Sequence, residues 1–453
     1  MTTATLPAAV DKYSDAFASF SDASADVPEW LKAIRNQAWA TFSELGIPVK
    51  RRGNELWKYT DLRPLAALDF EYGSGGSVSL DEIKAAGPWD DAWDTLVVVD
   101  GVFSAELSNL QGTSGLTAIS LAEAISSGVG DIESQLASLA GREEYAFTAL
   151  STAFVDDGAY IAIADDADPA TPIHVVFVTS NSGNSGSSRA SYPRLLIDAG
   201  VNTLAVIIES HINLAESAQL SLPVVEVFAK PGATVRHYRV QMENEHSYHL
   251  GTTRVQQLND SSFNSTTFAV GAAIARNDIH TQLDAPGANC TLHGLYMTSG
   301  TQQQDQEIST THAKPHCTSN QFYKGILSGK SHAVFSGKVV VERDAQKSDA
   351  TQKDLNLLLS RGAEIDAKPS LEIYADDVTA AHGATAGHVD RDTLFYLQSR
   401  GVDEESAKAI LIRGFAEELL DEFKPEALYA FVEKVTDERI PVLLAESDAL
   451  GTA

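Results

Sequence analysis

Between Ala233 and Val378 no window repeats its apolar residues at helical spacing, and this most narrows what the chain can become. Short β-branched runs recur there, broken by polar steps: Thr252-Thr253, Ser265-Thr266-Thr267, Asp278 to Thr281, Thr291, Ser309 to Thr311, Thr318 to Asn320 and Ser331. The steps fall roughly every 10–18 residues, the interval of successive short strands in a solenoid or a sandwich. A sandwich turns its hairpins on pairs such as Asn-Gly, and none occurs in this stretch. A parallel β-helix instead stacks coil on coil, so that like residues form ladders. The pattern therefore predicts a β-helix with irregular polar corners.

Helical spacing flanks this region on both sides. The first seventy or so residues read as helical, with Asp26 as cap, Pro28 and Glu29 in the first turn, and Gly46 and Pro48 as the stop. Trp30, Ile34 and Ala38 lie on one apolar face, with Leu31, Phe42 and Leu45 beside them. RRGNELWKYTDLRPL reads as a packed connector anchored by Trp57 and Tyr59, and EYGSGGSVSL as a flexible joint. Thr95 to Phe103 is a strand with a turn inside it, after which SLAEAISSG and REEYAFTALSTAF return to helical spacing. IHVVFVTS, RLLIDAG, LAVIIES and LPVVEVFAK follow as strands, with the solvated loop SNSGNSGSSRAS between the first two. Beyond Gly387, Asp390 caps RDTLFYLQSR, Gly401 ends it, and Asp403 with Glu404 and Glu405 starts a second helix. Pro425 closes that helix and opens a third, expected to end near VTDERIP. The expected division is 1–152 mainly helical with the connector, 153–386 β-helix, and 387–453 helical.

The chain carries 33 basic against 62 acidic residues, a formal net of −29. So acidic a surface repels phosphate backbones and anionic lipid, which argues against nucleic-acid or membrane-surface binding. Two cysteines, Cys290 and Cys317, fit a reducing compartment better than a secreted one. The amino-terminal MTTATLPAAVDKYSDAF has neither basic head nor unbroken apolar core, and a cytoplasmic protein is expected. Several catalytic signatures are missing: no GxxxxGK[ST] loop, no CxxC, no HExxH and no GxSxG.

Five histidines lie along the expected solenoid: His280, His293, His312, His316 and His332. Ladder or corner residues tied to neighbouring coils are the ordinary expectation for them. His316 and Cys317 are adjacent, would point to opposite faces of one strand, and could not share a metal ion. His382 differs, because it follows a strand and the Asp376-Asp377 pair and precedes Gly-Ala-Thr at the boundary with the helical tail. A histidine there can ligate a metal ion, but only with ligands from another chain.

AKPHCTSNQFYKGILSGKSHAVFSGKVVVERDAQKSDATQKDLNLLL, followed by KPSLEIYADDVTAAHGATAG, resembles the SufB/SufD family of the SUF iron–sulfur cluster assembly system, on its SufD side. The shared positions include His312, Ser319, Lys324-Gly325, Phe335, Gly337, Gln352, Lys368-Pro369, Asp376-Asp377 and His382 to Thr385. ELWKYTDLRPL, LVVVDGVFSAELS and FYLQSRGVDEESAKAILIRGFAEELL extend the likeness over nearly the whole chain. The resemblance implies a right-handed parallel β-helix between helical domains, mixed α and β. It implies a non-catalytic scaffold of a SufBCD complex, paired with SufB through the β-helix and docking the SufC ATPase by the carboxy-terminal helices. His382 would be the iron–sulfur ligand on this side, in an edge of Asp376, Asp377, Thr379, Ala381 and His382. Phe395, Leu397, Ile410, Phe415 and Leu419 would face SufC. No cofactor is implied for the chain alone; a transient cluster sits at the partner interface, and a reduced flavin in the complex and a homodimer stay open. Where some relatives carry a cysteine two residues before the histidine, this chain has Ala380, which removes a thiolate and argues against a SufB-type chain. A β-helix lyase or acyltransferase is the enzymatic alternative.

Overall fold

From Tyr248 onward the chain is cut into strands of ten or eleven residues, and each lies parallel to the strand two places earlier. Thr234 pairs with Ser262, Ser262 with Asn289, and Asn289 with Thr318, steps of 28, 27 and 29 residues. One coil thus takes two strands and two corners, and successive strands alternate between two sheets. The computed structural model describes residues 7–24, 26–72, 76–141, 145–181 and 188–447. Among these, one sheet has 10 strands and the other 12. The result is a parallel β-solenoid flanked by helices at both chain ends.

Alternation drives the stacking. Ile207, Val235, Phe263 and Leu292 turn inward from one sheet, and Val227, Val255, Ile279 and Ile308 from the other. Each such side chain contributes about 1.5–3 kcal/mol when fully buried. Several expected polar steps stack as ladders: Thr281 donates to Thr310 of the next coil at 3.0 Å.

At its amino-terminal end the solenoid finishes in antiparallel strands. Asp94–Val99 pairs in parallel with Ile173–Thr179 on one side and antiparallel with Val102–Asn109 on the other. Asp100 and Gly101, both at positive φ, make the tight turn between them. Leu116–Ser120 lies antiparallel to Gly158–Ile163 in the second sheet, so residues ahead of 153 contribute strands to both sheets. The expected joint and loop fall partly on residues 73–75 and 182–187, outside the described residues.

The helix Glu29–Leu45 ends at Gly46 as expected, but Pro28 is its capping residue and Asp26 lies too far ahead to act. In the connector Trp57 is buried under the Arg276 guanidinium, 4.3 Å from its ring, whereas Tyr59 is only partly buried and does not anchor a core. Thr60 donates to buried Asp305 instead. A deeper tie is Glu226, fully buried, which accepts from the backbone N–H groups of Ala137, Leu139 and Ala140 at 2.9–3.1 Å. Its other partner is the buried Arg194, at 2.7 Å.

Three helices form the tail. Asp390 caps Arg391–Ser399 and Asp403 caps Glu404–Leu420 through the N–H groups of Thr393 and Ser406. The third, Glu426–Ala445, runs on through the expected stop at VTDERIP. Pro441 removes one hydrogen bond there, but Ile440 and Leu443 on either side are buried and hold the turn.

Replacing Glu226 by alanine should cost about 3–5 kcal/mol, because Arg194 is left as an uncompensated buried charge. Urea unfolding of the two proteins measures this, and a loss below about 1 kcal/mol would show that the pair carries little of the attachment.

Candidate site at the open end of the solenoid

The last coil consists of Glu364–Ile373 in one sheet and Val378–Gly387 in the other. Each is the outermost strand of its sheet, with its far edge unpaired among the described residues. At the opposite end the outermost strands, Val102–Asn109 and Leu116–Ser120, run antiparallel to their neighbours and are shorter; this end presents two full-length parallel rows of free backbone donors and acceptors.

Register fixes which side chains line the opening. The strand Ser348–Leu358 buries Ala350, Gln352, Asp354 and Asn356, its even-numbered residues. Ala380 stands opposite Ala350, His382 opposite Gln352, and Ala384 opposite Asp354, so these continue the inner row. In the other sheet Ile365, Ala367, Pro369, Leu371 and Ile373 stand opposite Ala333, Phe335, Gly337, Val339 and Val341, the inward residues of the previous coil. Of the side chains lining the opening on these two rows, only His382 is polar. It is exposed because no further coil covers it. Thr379 and Ala381 sit on the outer row, also exposed.

Asp376 is exposed at the corner, while Asp377 is tied there by an ion pair to Lys347 and by its N–H, which donates to Gln346 at 2.9 Å. Ile373 and Tyr374 expose apolar surface beside them, Tyr374 by 60%. Sequence reading missed both, though their place between strand and acidic pair pointed to them.

Beneath His382 the inner row is polar. Gln352 donates to Gln321 at 2.9 Å, and Gln321 to Thr310 at 3.0 Å. Asp354 accepts from Asn356 at 2.7 Å, and Tyr296 donates to Asn356 at 2.6 Å. The second oxygen of Asp354, Oδ1, has no hydrogen-bond partner among the described residues. Burial pushes this carboxyl up to about 7, against the pull of the Asn356 amide.

A second polar cluster lies deep in the solenoid and was not anticipated. Glu209 meets His211 at 2.5 Å, His237 at 2.9 Å and Arg239 at 3.3 Å, all buried. Burial alone would raise the Glu209 carboxyl, but the two histidine hydrogen bonds and the Arg239 charge hold it well below the usual range. Glu243 accepts from Asn213 at 2.8 Å and lies 3.0 Å from His249, and burial raises it to about 7. The signal was available: Glu209 and His211 are two apart on one strand, and Arg239 stands opposite Glu209 on the next.

The other histidines are ladder or corner residues. His312 bonds Ser319 at 2.7 Å, and burial holds it down to about 4. His332 meets Asp366 at 2.8 Å and His280 meets Asp278 at 3.2 Å. His293 packs edge-on to Phe322, and His316 is exposed at a corner with φ of 62°. Cys290 and Cys317 are buried thiols. Among the described residues no group of three or more His, Cys, Asp or Glu is arranged to hold a metal ion, and no helix is long and apolar enough to cross a membrane.

On the tail, Phe395 and Ile410 are exposed by 71% and 52%, with Tyr396 beside them at 56%. Leu397 and Phe415 are partly buried. Leu419 is fully buried in the packing between tail and solenoid, so it offers no docking surface, contrary to expectation. Its neighbour Glu418 explains the orientation: Lys324 on the solenoid bonds Glu418 at 2.7 Å and the Phe415 carbonyl at 2.9 Å.

Compared with known proteins, the chain matches the family described as SUF system FeS cluster assembly, SufBD core domain, over residues 178–415, and the SufBD protein N-terminal region over residues 8–175. It is 31% identical over 425 residues to an iron–sulfur cluster assembly SufBD family protein of Synechocystis, covering 88% of this chain and 92% of that one. It is 29% identical over 396 residues to the iron–sulfur cluster assembly protein SufD of Escherichia coli, covering 87% and 90%. A SufBD family protein of Mycobacterium leprae is 33% identical over 180 residues, 38% of this chain and 46% of that one.

Asp354 makes stability depend on pH. Its carboxyl titrates near 3.9 in the unfolded chain and about 7 in the fold, so its contribution is most favourable below pH 4, declines as pH rises to 7 and is flat above. Asp354→Asn should therefore stabilise the protein by of order 2–4 kcal/mol at pH 8, and by under about 1 kcal/mol at pH 4.5. Urea midpoints at the two pH values check the sign.

Proposed function

The chain belongs to the SufBD family of the SUF iron–sulfur cluster assembly system, and from that premise we propose that it is a non-catalytic scaffold subunit whose open solenoid end pairs with a SufB-type partner. The carrying observation is the asymmetry of the two ends. Unpaired strands in a flat row recruit further strands unless they are blocked. Here one end finishes in strands of eight and five residues that run antiparallel to the stack, while the other leaves two parallel strands of ten residues in the stacking direction uncovered. A partner solenoid stacked there continues both sheets by strand addition, with Ile373 and Tyr374 as apolar contacts.

His382 then stands at the junction, in an inner row otherwise made of alanine, proline and aliphatic side chains. Enclosing it excludes water and turns its imidazole toward cargo held between the two chains. Neutral imidazole binds iron at a ring nitrogen, and the remaining ligands come from the partner. Ala380 supplies no thiolate, so sulfur ligation belongs to the other side of the junction. No GxxxxGK[ST] loop is present in the sequence, so ATP hydrolysis falls to a SufC-type ATPase. The surface offered to it is Phe395, Tyr396 and Ile410, apolar side chains on helices otherwise packed down on the solenoid. The cytoplasm is the compartment this reading expects, and two buried free thiols support a reducing one.

The test is reconstitution with SufB- and SufC-type partners, iron and sulfide. His382→Ala should leave the complex intact and slow cluster formation by at least ~10-fold, the usual cost of a lost ligand-sphere group. Wild-type kinetics in that variant would remove the ligand role, and failure of any complex to form would remove the whole reading. Truncation after Gly387 should abolish ATPase binding and spare the SufB-type pairing, read by co-purification.

A further inference from the structure

The open end holds a second group that binding would complete. We propose that Asp354 is an oxygen ligand of the same site, so that a divalent cation such as ferrous iron is held between Asp354 Oδ1 and the His382 imidazole, other positions being taken by water or the partner. The inference rests on the pairing-face reading given above and adds a ligand to it.

Register brings the two residues together. Asp354 is opposite Ala384, one inner-row place from His382, on neighbouring strands. With strands about 4.8 Å apart and two residues spanning about 6.6 Å, their Cα atoms lie about 8 Å apart along the diagonal. A histidine and an aspartate reaching toward each other span that gap with metal–ligand bonds of about 2.0–2.2 Å each. Only the methyl group of Ala384 stands between Asp354 and the opening on its own sheet, with Ala386 beyond it.

Oδ1 is the second observation. Asp354 is fully buried, yet this oxygen has no hydrogen-bond partner among the described residues. An unsatisfied buried polar atom costs about 1–3 kcal/mol and more when charged, so the core alone gives no reason to keep it. The other oxygen is held from behind by Asn356, itself held by Tyr296. Such a chain fixes a carboxylate in one orientation, as the outer hydrogen bonds of metal ligands do. The exposed acids nearby do not compete: Asp377 is engaged by Lys347, and Asp376 sits on the corner outside the inner row.

The experiment titrates the full-length chain with Co2+ under anaerobic conditions, alone and in complex with its SufB-type partner, following the visible absorption of the bound ion. Asp354→Asn and His382→Ala should each weaken Co2+ by at least ~10-fold, and the double variant should lose little more than either, since both act on one ion. Asp376→Asn should bind as wild type. Asp354→Asn keeps the shape and the Asn356 contact, and its urea midpoint verifies the fold. Should Asp354→Asn bind Co2+ as tightly as wild type both alone and in complex, Oδ1 holds a water only and the inference is overturned. The pairing reading is judged separately: it falls if no complex forms, whereas a complex that forms and assembles clusters normally with Asp354→Asn removes only the aspartate.

Discussion

Every backbone group in a stacked coil depends on the coil above and the coil below. This requirement organises the molecule. Inside the stack it is met automatically, because strands of ten or eleven residues lie in register from Thr234 to the end of the solenoid. At the ends it must be met by something else. The amino-terminal end breaks the stacking pattern with the hairpin at Asp100-Gly101 and the short antiparallel strand Leu116–Ser120, and the helical region is fastened near them through Glu226. The carboxy-terminal end leaves the requirement unmet, and the chain turns away at Gly387 into helices that pack on the side of the stack rather than across its mouth.

The same geometry explains the buried charges. A coil that must accommodate a buried polar side chain does so cheaply only when its neighbours offer partners at the same place in the row or the next. Glu209, His237 and Arg239 meet this condition across adjacent coils, as Arg194 and Glu226 do on the outer side. Buried ion pairs of this kind rarely add net stability, and they do penalise a one-residue slip, which would separate every partner at once. Asp354 lacks such a complement for one of its oxygens, and it lies next to the mouth.

Much of this was readable in residues. Missing helical spacing and recurrent Thr/Ser steps sufficed for the solenoid, because stacking selects like residues at like positions. Asp390, Asp403 and Gly46 marked helix ends through local chemistry that needs no tertiary partner. The failures came where distant packing decided. Pro441 did not end its helix because Ile440 and Leu443 are buried against other elements. Leu419 looked like part of a docking face, but helical spacing cannot say which face meets the solenoid; Lys324, far away in sequence, settles that. At the site His382 stood out by its neighbours, while Asp354 did not, since it becomes notable only once register puts it beside that strand and its second oxygen proves unpaired.

The attachment of the tail also has a mechanical meaning. The helix Glu404–Leu420 rests on strands belonging to earlier coils and is pinned there by Lys324, whereas its covalent connection leaves from the last strand. A load applied to the tail is therefore borne first by contacts with earlier coils: Glu446 accepts from the Gly300 N–H and from the Ser360 hydroxyl, both at 2.6 Å, and behind it stand the Lys324 pin and the buried seam around Leu419. Once the seam gives way, the load reaches Val378–Gly387 from its end and strips its ladder one bond at a time, the weakest direction in which a strand can be pulled. The tail so works as a strain relief, keeping tension off the strand that carries His382 until the seam is released.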